Sequence, residues 1–529
     1  MHRPIQRALP AFLALLLAGT TLAAAPAQPA PPPARPADPS AEPSQAQIQA
    51  SFEAIRTFDV TRLLSEPAYA AEILAHLDRV SPYVRGDAAD AVRNMRLLAF
   101  ATLDRPADGI PLLDQILDSR PTEVRHYVSA WLAALNFHDR ARAVSVVETA
   151  SRAVPGVHWA DLRGVLDRET VFSLLSELNN PAGKADRLRL ADALFRIGWP
   201  GSDNPEGGDV IRRILIDDRL TAGDTAGARN YAVGITTLPA TITHAVGKRY
   251  DPILPAGADR LAMIRTSIEL LDRRTREALA AHPDDIDRVI DRIQFLREAG
   301  REEDALAVAR PFLRDVPATA ANGDQGMWVV NEAAFALVAL GRRDEALALM
   351  ERIAALSLAA NPGLISLRIN QLDLLWDSGR HEEVLRQATI LDPDAERYAN
   401  DYGRLWIASS RVCALASLGR RAETAALLAR LVALRDTNAA ALSRAYLCLG
   451  DDDAAAALLV HRLQGDDPSS VIEALQDYSL GNDRVGPQPS QALNNRLLAL
   501  RERPEVRAAF DRVGRRLTLP LARSYWGDF

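Results

Sequence analysis

The stretch "ALVALGRRDEALALMERI" (Ala336–Ile353) decides the fold. Its apolar residues recur every three or four positions on both sides of one glycine, Gly341, which is followed by a short charged run. Such a pattern describes a helix, a tight turn and a second helix. The same grammar stands upstream in "LREAGREEDALAVARPFL" (Leu296–Leu313) and downstream in "LASLGRRAETAALLARL" (Leu415–Leu431).

Aligned on the turn, the glycines are Gly300, Gly341, Gly379, Gly419 and Gly450, spaced by 41, 38, 40 and 31 residues. Each glycine suits a helix that ends in the left-handed conformation, which costs other residues strain. Four residues before it comes a core position: Leu296, Leu337, Leu375, Leu415, Tyr446. Five residues after it comes a compact one, Ala305, Ala346, Val384, Thr424, Ala455, which lets two helices approach closely. The acids Glu303, Asp344, Glu382 and Asp452 face the positive end of the second helix. In the first half, Gly109 and Ala143 take the compact position, 34 residues apart. Pro121 and Pro155 close those units, 17 residues after Asp104 and His138, as Pro317 follows Gly300. Gly223 with Ala228 makes a further turn.

Helix, tight turn, helix and closing proline at a period of 34 resembles the tetratricopeptide-repeat family. The resemblance covers most of residues 85–160 and 285–465. Several periods run to 38–41, and the family's early Trp and its Leu-Gly pair are mostly missing. The expected fold is all-α: a right-handed superhelical solenoid of antiparallel helix pairs. A single hairpin cannot bury its apolar face, so each stacks on the next and a concave surface results.

The N-terminus, "MHRPIQR" followed by "ALPAFLALLLAGTTLAAA", has the basic and apolar regions of a secretory signal, with small residues for cleavage. The expected organisation is a signal peptide over 1–25 and a Pro/Ala-rich linker over 26–44. An N-terminal hairpin array over 45–235 follows, then an irregular connection over 236–259. A C-terminal tetratricopeptide-like array over 260–465 and capping helices with an aromatic tail over 466–529 complete the chain. Export to the periplasm follows from the signal. After its removal no stretch is long and apolar enough to span a bilayer. Cys413 and Cys448 fall in neighbouring helices where a bridge is conceivable; the expectation is two buried thiols.

A net charge of −7 argues against nucleic acid, and only two of 62 basic residues are lysines. The histidines form no metal motif, so neither cofactor nor metal is expected. "GDDD" (Gly450–Asp453) and "HEE" (His381–Glu383) are helix starts, and "GWPGSDNPEGG" (Gly198–Gly208) is a loop. No nucleophile elbow, Ser-Lys motif or phosphate loop is present. What remains is binding. Taking the first helix of each hairpin to line the concave face nominates Gln294, Arg297, Asn331, Phe335, Asp373, Trp376, Trp406 and Arg444. Trp and Arg are common binding anchors, yet the tryptophans equally suit packing between helices. The family resemblance implies a scaffold or adaptor for a protein or peptide partner in envelope assembly or export. The competing expectation is an all-α enzyme acting on envelope polysaccharide through an acidic cleft.

Overall fold

A computed structural model describes residues 43–523 apart from 155, 158–165, 181, 200–204, 322 and 481–488. The expected signal, most of the expected linker, Pro155, residues 200–204 and the tail from Ser524 lie outside the described residues; the stretch 198–208, expected as a loop, is corrected at its end, where residues 205–208 open a helix with proline in its first turn. The described chain is helical almost throughout and splits into two compact units, Met1–Ile235 and Thr236–Phe529.

The first unit begins with α1 (Gln45–Arg56), whose N-cap Ser44 and Gln47 form a reciprocal capping box. There follow α2 (Val60–Ser65), α3 (Pro67–Val80), α4 (Asp87–Thr102), α5 (Pro106–Ser119), α6 (Val124–Asn136), α7 (Arg140–Ala153), α8 (Arg168–Glu177), α9 (Lys184–Arg196), α10 (Pro205–Thr221) and α11 (Thr225–Ala232). Neighbouring helices pack in sequence around one core that includes Leu77, Leu98, Trp131, Val144 and Leu190.

The second unit starts with α12 (Leu238–Val246), α13 (Arg260–Ala281) and α14 (Ile286–Glu298). It continues through α15 (Glu302–Leu313), α16 (Val316–Ala321), α17 (Gly323–Ala339), α18 (Arg343–Ala354), α19 (Leu364–Asp377) and α20 (His381–Tyr398). Next come α21 (Asp401–Ser417), α22 (Ala425–Ala433), α23 (Ala439–Leu449) and α24 (Asp452–Leu463). The pairs α14/α15, α17/α18, α19/α20, α21/α22 and α23/α24 are the hairpins turned by the five glycines.

Every one of those glycines has a positive φ, between 68° and 77°. In each case the next N–H reaches back to the core residue four before the glycine: Arg301 to Leu296 at 2.7 Å, Arg342 to Leu337 at 2.8 Å, Arg380 to Leu375 at 2.9 Å, Arg420 to Leu415 at 2.8 Å and Asp451 to Tyr446 at 3.0 Å. The spare helix-end carbonyls are thereby satisfied. Asp104 and His138 hold the same conformation, at φ 51° and 54°, with the same back-bonds from Arg105 to Phe100 and Asp139 to Ala134. These two turns of the first unit are thus built without glycine, whereas Gly198 and Gly223 make two others with the same back-bonds, from Trp199 to Leu194 and from Asp224 to Arg219. Ala305, Ala346, Val384, Thr424 and Ala455 are all buried at the hairpin crossings. The second helices start in two ways. Asp139, Asp224 and Asp451 cap with a carboxylate. Arg105, Arg301, Arg342, Arg380 and Arg420 instead fold onto an acid three residues on. Such exposed pairs add little to stability.

Two further expectations are corrected. Residues 236–259, taken as irregular, contain α12 and a 3₁₀ turn over Lys248–Ile253. Prolines and β-branched threonines disguise this helix in the sequence. Pro239 sits in its first turn, where the missing N–H costs nothing. Thr241 and Thr243 hide their hydroxyls on the carbonyls of Thr237 and Pro239, at 2.8 and 3.0 Å. Burial on several faces overrides the poor propensity. The C-terminal segment, expected as helices and a tail, also holds a parallel strand pair, β1 (Asp477–Leu480) and β2 (Thr518–Ala522). Four or five residues are too few for an alternation to stand out.

That segment also contains α25 (Ser469–Ala474), α26 (Pro489–Arg501) and α27 (Pro504–Val513), and it fastens both ends of the second unit. Arg496 and Arg503 bind Asp452 and Asp453 at the start of α24, at 2.6 and 2.8 Å. The Ser490 N–H donates to Asp377 at 2.9 Å. Towards the front of the unit, the Arg515 N–H donates to the Val246 carbonyl at 2.9 Å, and its guanidinium pairs with Asp251 at 2.6 Å. Leu493, Leu497, Val506 and Phe510 join the main core.

The turn conformation sets one test. Gly379 has open space around a Cβ, so Gly379→Ala isolates the backbone term and costs about 1 kcal/mol. Asp104→Gly and His138→Gly are expected to change stability in the opposite direction or not at all, since both side chains are exposed. Urea midpoints of the three variants check this. A second test concerns pH. His126 is buried on Asn94, 3.0 Å away, and burial lowers its proton affinity below the ordinary value. The unfolded chain therefore takes up the proton first as pH falls through 6.5. Stability held above that pH is lost below it, by at most about 1.4 kcal/mol per pH unit for this one group. In His126→Gln the fall in urea midpoint between pH 7.5 and 5.5 is expected to be shallower than in the parent chain.

Candidate functional site: a polar ladder along the first helices

The eight nominated residues all lie in the second unit, on the first helices of successive hairpins. The fold places most of them against one another. The Arg297 guanidinium on α14 pairs with Glu332 on α17 and lies over the Phe335 ring, 5.7 Å from its centre. On α17, Asn331 is fully buried and accepts from the Asn370 amide of α19 at 3.0 Å. On α19, Asp373 accepts from Ser410 of α21 at 2.7 Å and from Arg444 of α23 at 2.5 Å. The Trp376 indole N–H donates to Ser417 of α21 at 3.3 Å. Arg444 is 3% exposed, with its guanidinium over Trp376 at 5.0 Å and Trp406 at 5.9 Å. Trp406 is half-buried and meets the exposed Tyr402 edge to face, 6.4 Å between centres.

Cys413 on α21 and Cys448 on α23 form a disulfide, with Cα atoms 5.0 Å apart. This corrects the expectation of two buried thiols. The two cysteines stand on adjacent first helices, in register, at a separation of 35 residues. Every consecutive pair of first helices is therefore joined by a rung: Arg297–Glu332, Asn331–Asn370, Asp373–Ser410 with Trp376–Ser417, and Cys413–Cys448. The rung separations, 35 to 41 residues, are close to the repeat length. Arg444 alone spans two steps, 71 residues from Asp373. Asn94 and His126 make a comparable buried rung between α4 and α6 of the first unit.

Gln294 is different. It is exposed, in line with Asp287, Asp291 and Glu298 on the solvent side of α14. These four positions, spaced by four, three and four residues, form one acidic stripe on the helix. The partners Glu332, Asn370, Ser410 and Ser417 escaped the sequence reading. Their signal is a pair of polar residues about one repeat apart; Glu332 and Ser410 are buried, Asn370 half-buried and Ser417 exposed.

In the first unit a cavity of about 260 Å³ is lined by Arg120, Glu148, Thr149, Arg152 and Ala153. Its one carboxylate, Glu148, is held by Arg152 at 2.8 Å and Arg189 at 2.6 Å. Among the described residues no group of three or more His, Cys, Asp or Glu side chains is placed to hold a metal ion. No described helix is long and apolar enough to cross a membrane. No known protein-family model matches the chain, and no curated protein matches its sequence.

Removing one partner of the Arg444–Asp373 pair leaves the other charge buried and alone. Asp373→Ala is expected to cost about 3–5 kcal/mol. Gln294→Ala, on the exposed stripe, is expected to stay within about 0.5 kcal/mol. Chemical denaturation of the two variants measures the contrast; equal losses would deny the ladder its role.

Proposed function

We propose that the protein is a scaffold or adaptor of tetratricopeptide type, a right-handed superhelical array exported to the periplasm, where it holds a protein or peptide partner in envelope assembly or export. The observation that carries this reading is the run of hairpins with one turn geometry, keyed to one another by buried rungs. Such an array presents a long, rigid surface whose exposed positions are free to vary. The disulfide favours an oxidising compartment, in keeping with export. The cavity at Glu148 offers no pair of free carboxylates, since its single acid is paired with two arginines.

Because most of the nominated residues are spent on internal contacts, the partner is assigned to exposed positions. These are the Gln294 stripe and Tyr402, beside the half-buried Trp406. A photo-crosslinking residue placed at 294 or at 402 in living cells is expected to give a discrete adduct with one envelope protein. Absence of adducts from both positions, together with release of soluble sugar from cell-wall glycan by the pure protein, would replace this reading with the enzymatic one.

A further inference from the structure

The fourth of the five glycine-turned hairpins, α21/α22, has the least buried second helix of its series. The second helices α15, α18, α20 and α24 each bury four or five residues. Helix α22 buries only Leu431. Ala425, Ala426, Ala429, Val432 and Ala433 all face solvent, and the helix is entered through a 3₁₀ turn at Arg421–Thr424. The small core beneath it, Leu405, Ala408, Val412, Leu431, Ala441, Leu442, Ala445 and Leu458, is separate from the main one. Three of its eight members are alanine, which contributes little buried area. At this step, and at no other in the array, the rung between first helices is covalent.

We propose that the Cys413–Cys448 disulfide is a reducible latch: oxidised, it holds α21, α22 and α23 together; reduced, it releases this one step of the array while the rest stays folded. This inference does not depend on the identity of any partner. Cys413 is fully buried and Cys448 half-buried, so the sulfur within reach of a reductant is that of Cys448. A small dithiol attacks there as its thiolate, forming a mixed disulfide and expelling Cys413, which takes up a proton. The second thiol of the reductant then closes on the mixed disulfide and frees Cys448. Two electrons and two protons pass to the protein, and the reductant leaves as its cyclic disulfide. What remains at the step is the small core, the packing of Ile407, Ala414 and Leu447 into the main core, the Asn438–Tyr402 hydrogen bond at 3.1 Å, and the reach of Arg444 to Asp373. Loosening α23 shifts Arg444 against Trp376 and Trp406, which supplies a fluorescence signal.

The test is hydrogen exchange of the full chain before and after native treatment with dithiothreitol, with thiols counted by alkylation. The expected result is two thiols per chain without denaturant. Protection across 421–449 should fall on the order of a hundredfold and return on re-oxidation, while that across 286–377 should not change. A tryptophan emission change should accompany the loss. The proposal is overturned if the native bond resists the dithiol, if the reduced chain exchanges as before, or if protection falls evenly through the second unit. Cys448→Ala provides a second arm: the folded variant should be cut by trypsin between 420 and 437 as readily as the reduced chain. Resistance equal to that of the oxidised chain would also overturn it; if the variant does not fold, the wild-type exchange result decides.

Discussion

A helical hairpin has an apolar face it cannot bury alone, and in the second unit everything depends on how each face is registered on the next. Apolar packing is indifferent to small slides along a helix axis. A hydrogen bond or ion pair in a low-dielectric interior is not, because a group left unpaired there loses its solvation without compensation. The chain from Arg297–Glu332 through Asn331–Asn370 and Asp373–Ser410 to the disulfide supplies such a contact at every step. Alanine and valine at the crossings bring the helices close, and the rungs set where along the axis they meet.

This arrangement changes what tryptophan and arginine mean in the chain. Arg444, Trp376 and Trp406 have the composition of a binding hot spot. Here the guanidinium lies over both indoles while its charge is met by Asp373, so Arg444 and Trp376 are internal and only Trp406 reaches toward the surface. The exposed chemistry of the first helices is plainer: the acidic stripe around Gln294 and the aromatic corner at Tyr402. The C-terminal segment adds a second kind of constraint. It ties α24 and α19 at one side and α12 with its following turn at the other, so the unit is held from both ends instead of by neighbour contacts alone.

Much of the fold was legible because it is local. Glycine at 300, 341, 379, 419 and 450 marks a left-handed helix end, and the conformational preference behind it belongs to one residue. Asp104 and His138 were legible only by offset from Pro121 and Pro155, since neither residue prefers that conformation on its own. Helix α12 was not legible: Pro239, Thr241 and Thr243 disfavour it, and only the packing around them makes it worthwhile. The candidate residues were legible as a set on one row of helices, but not in their orientation, because a helical period gives a face and leaves open what covers it.

The sequence by itself determined where the glycine-turned helices end and which helix faces are apolar, and hence a mainly helical chain of repeated hairpins; these follow from backbone preference and hydrophobic period within some twenty residues. Only the tertiary structure decided that the inward polar residues meet in pairs one repeat apart, that the two cysteines are joined, and that residues 466–523 reach back to the front of their unit. Those contacts join positions from 35 to 270 residues apart. No local preference specifies them, because each becomes favourable only after the helices between have been stacked and water has been excluded from around the pair.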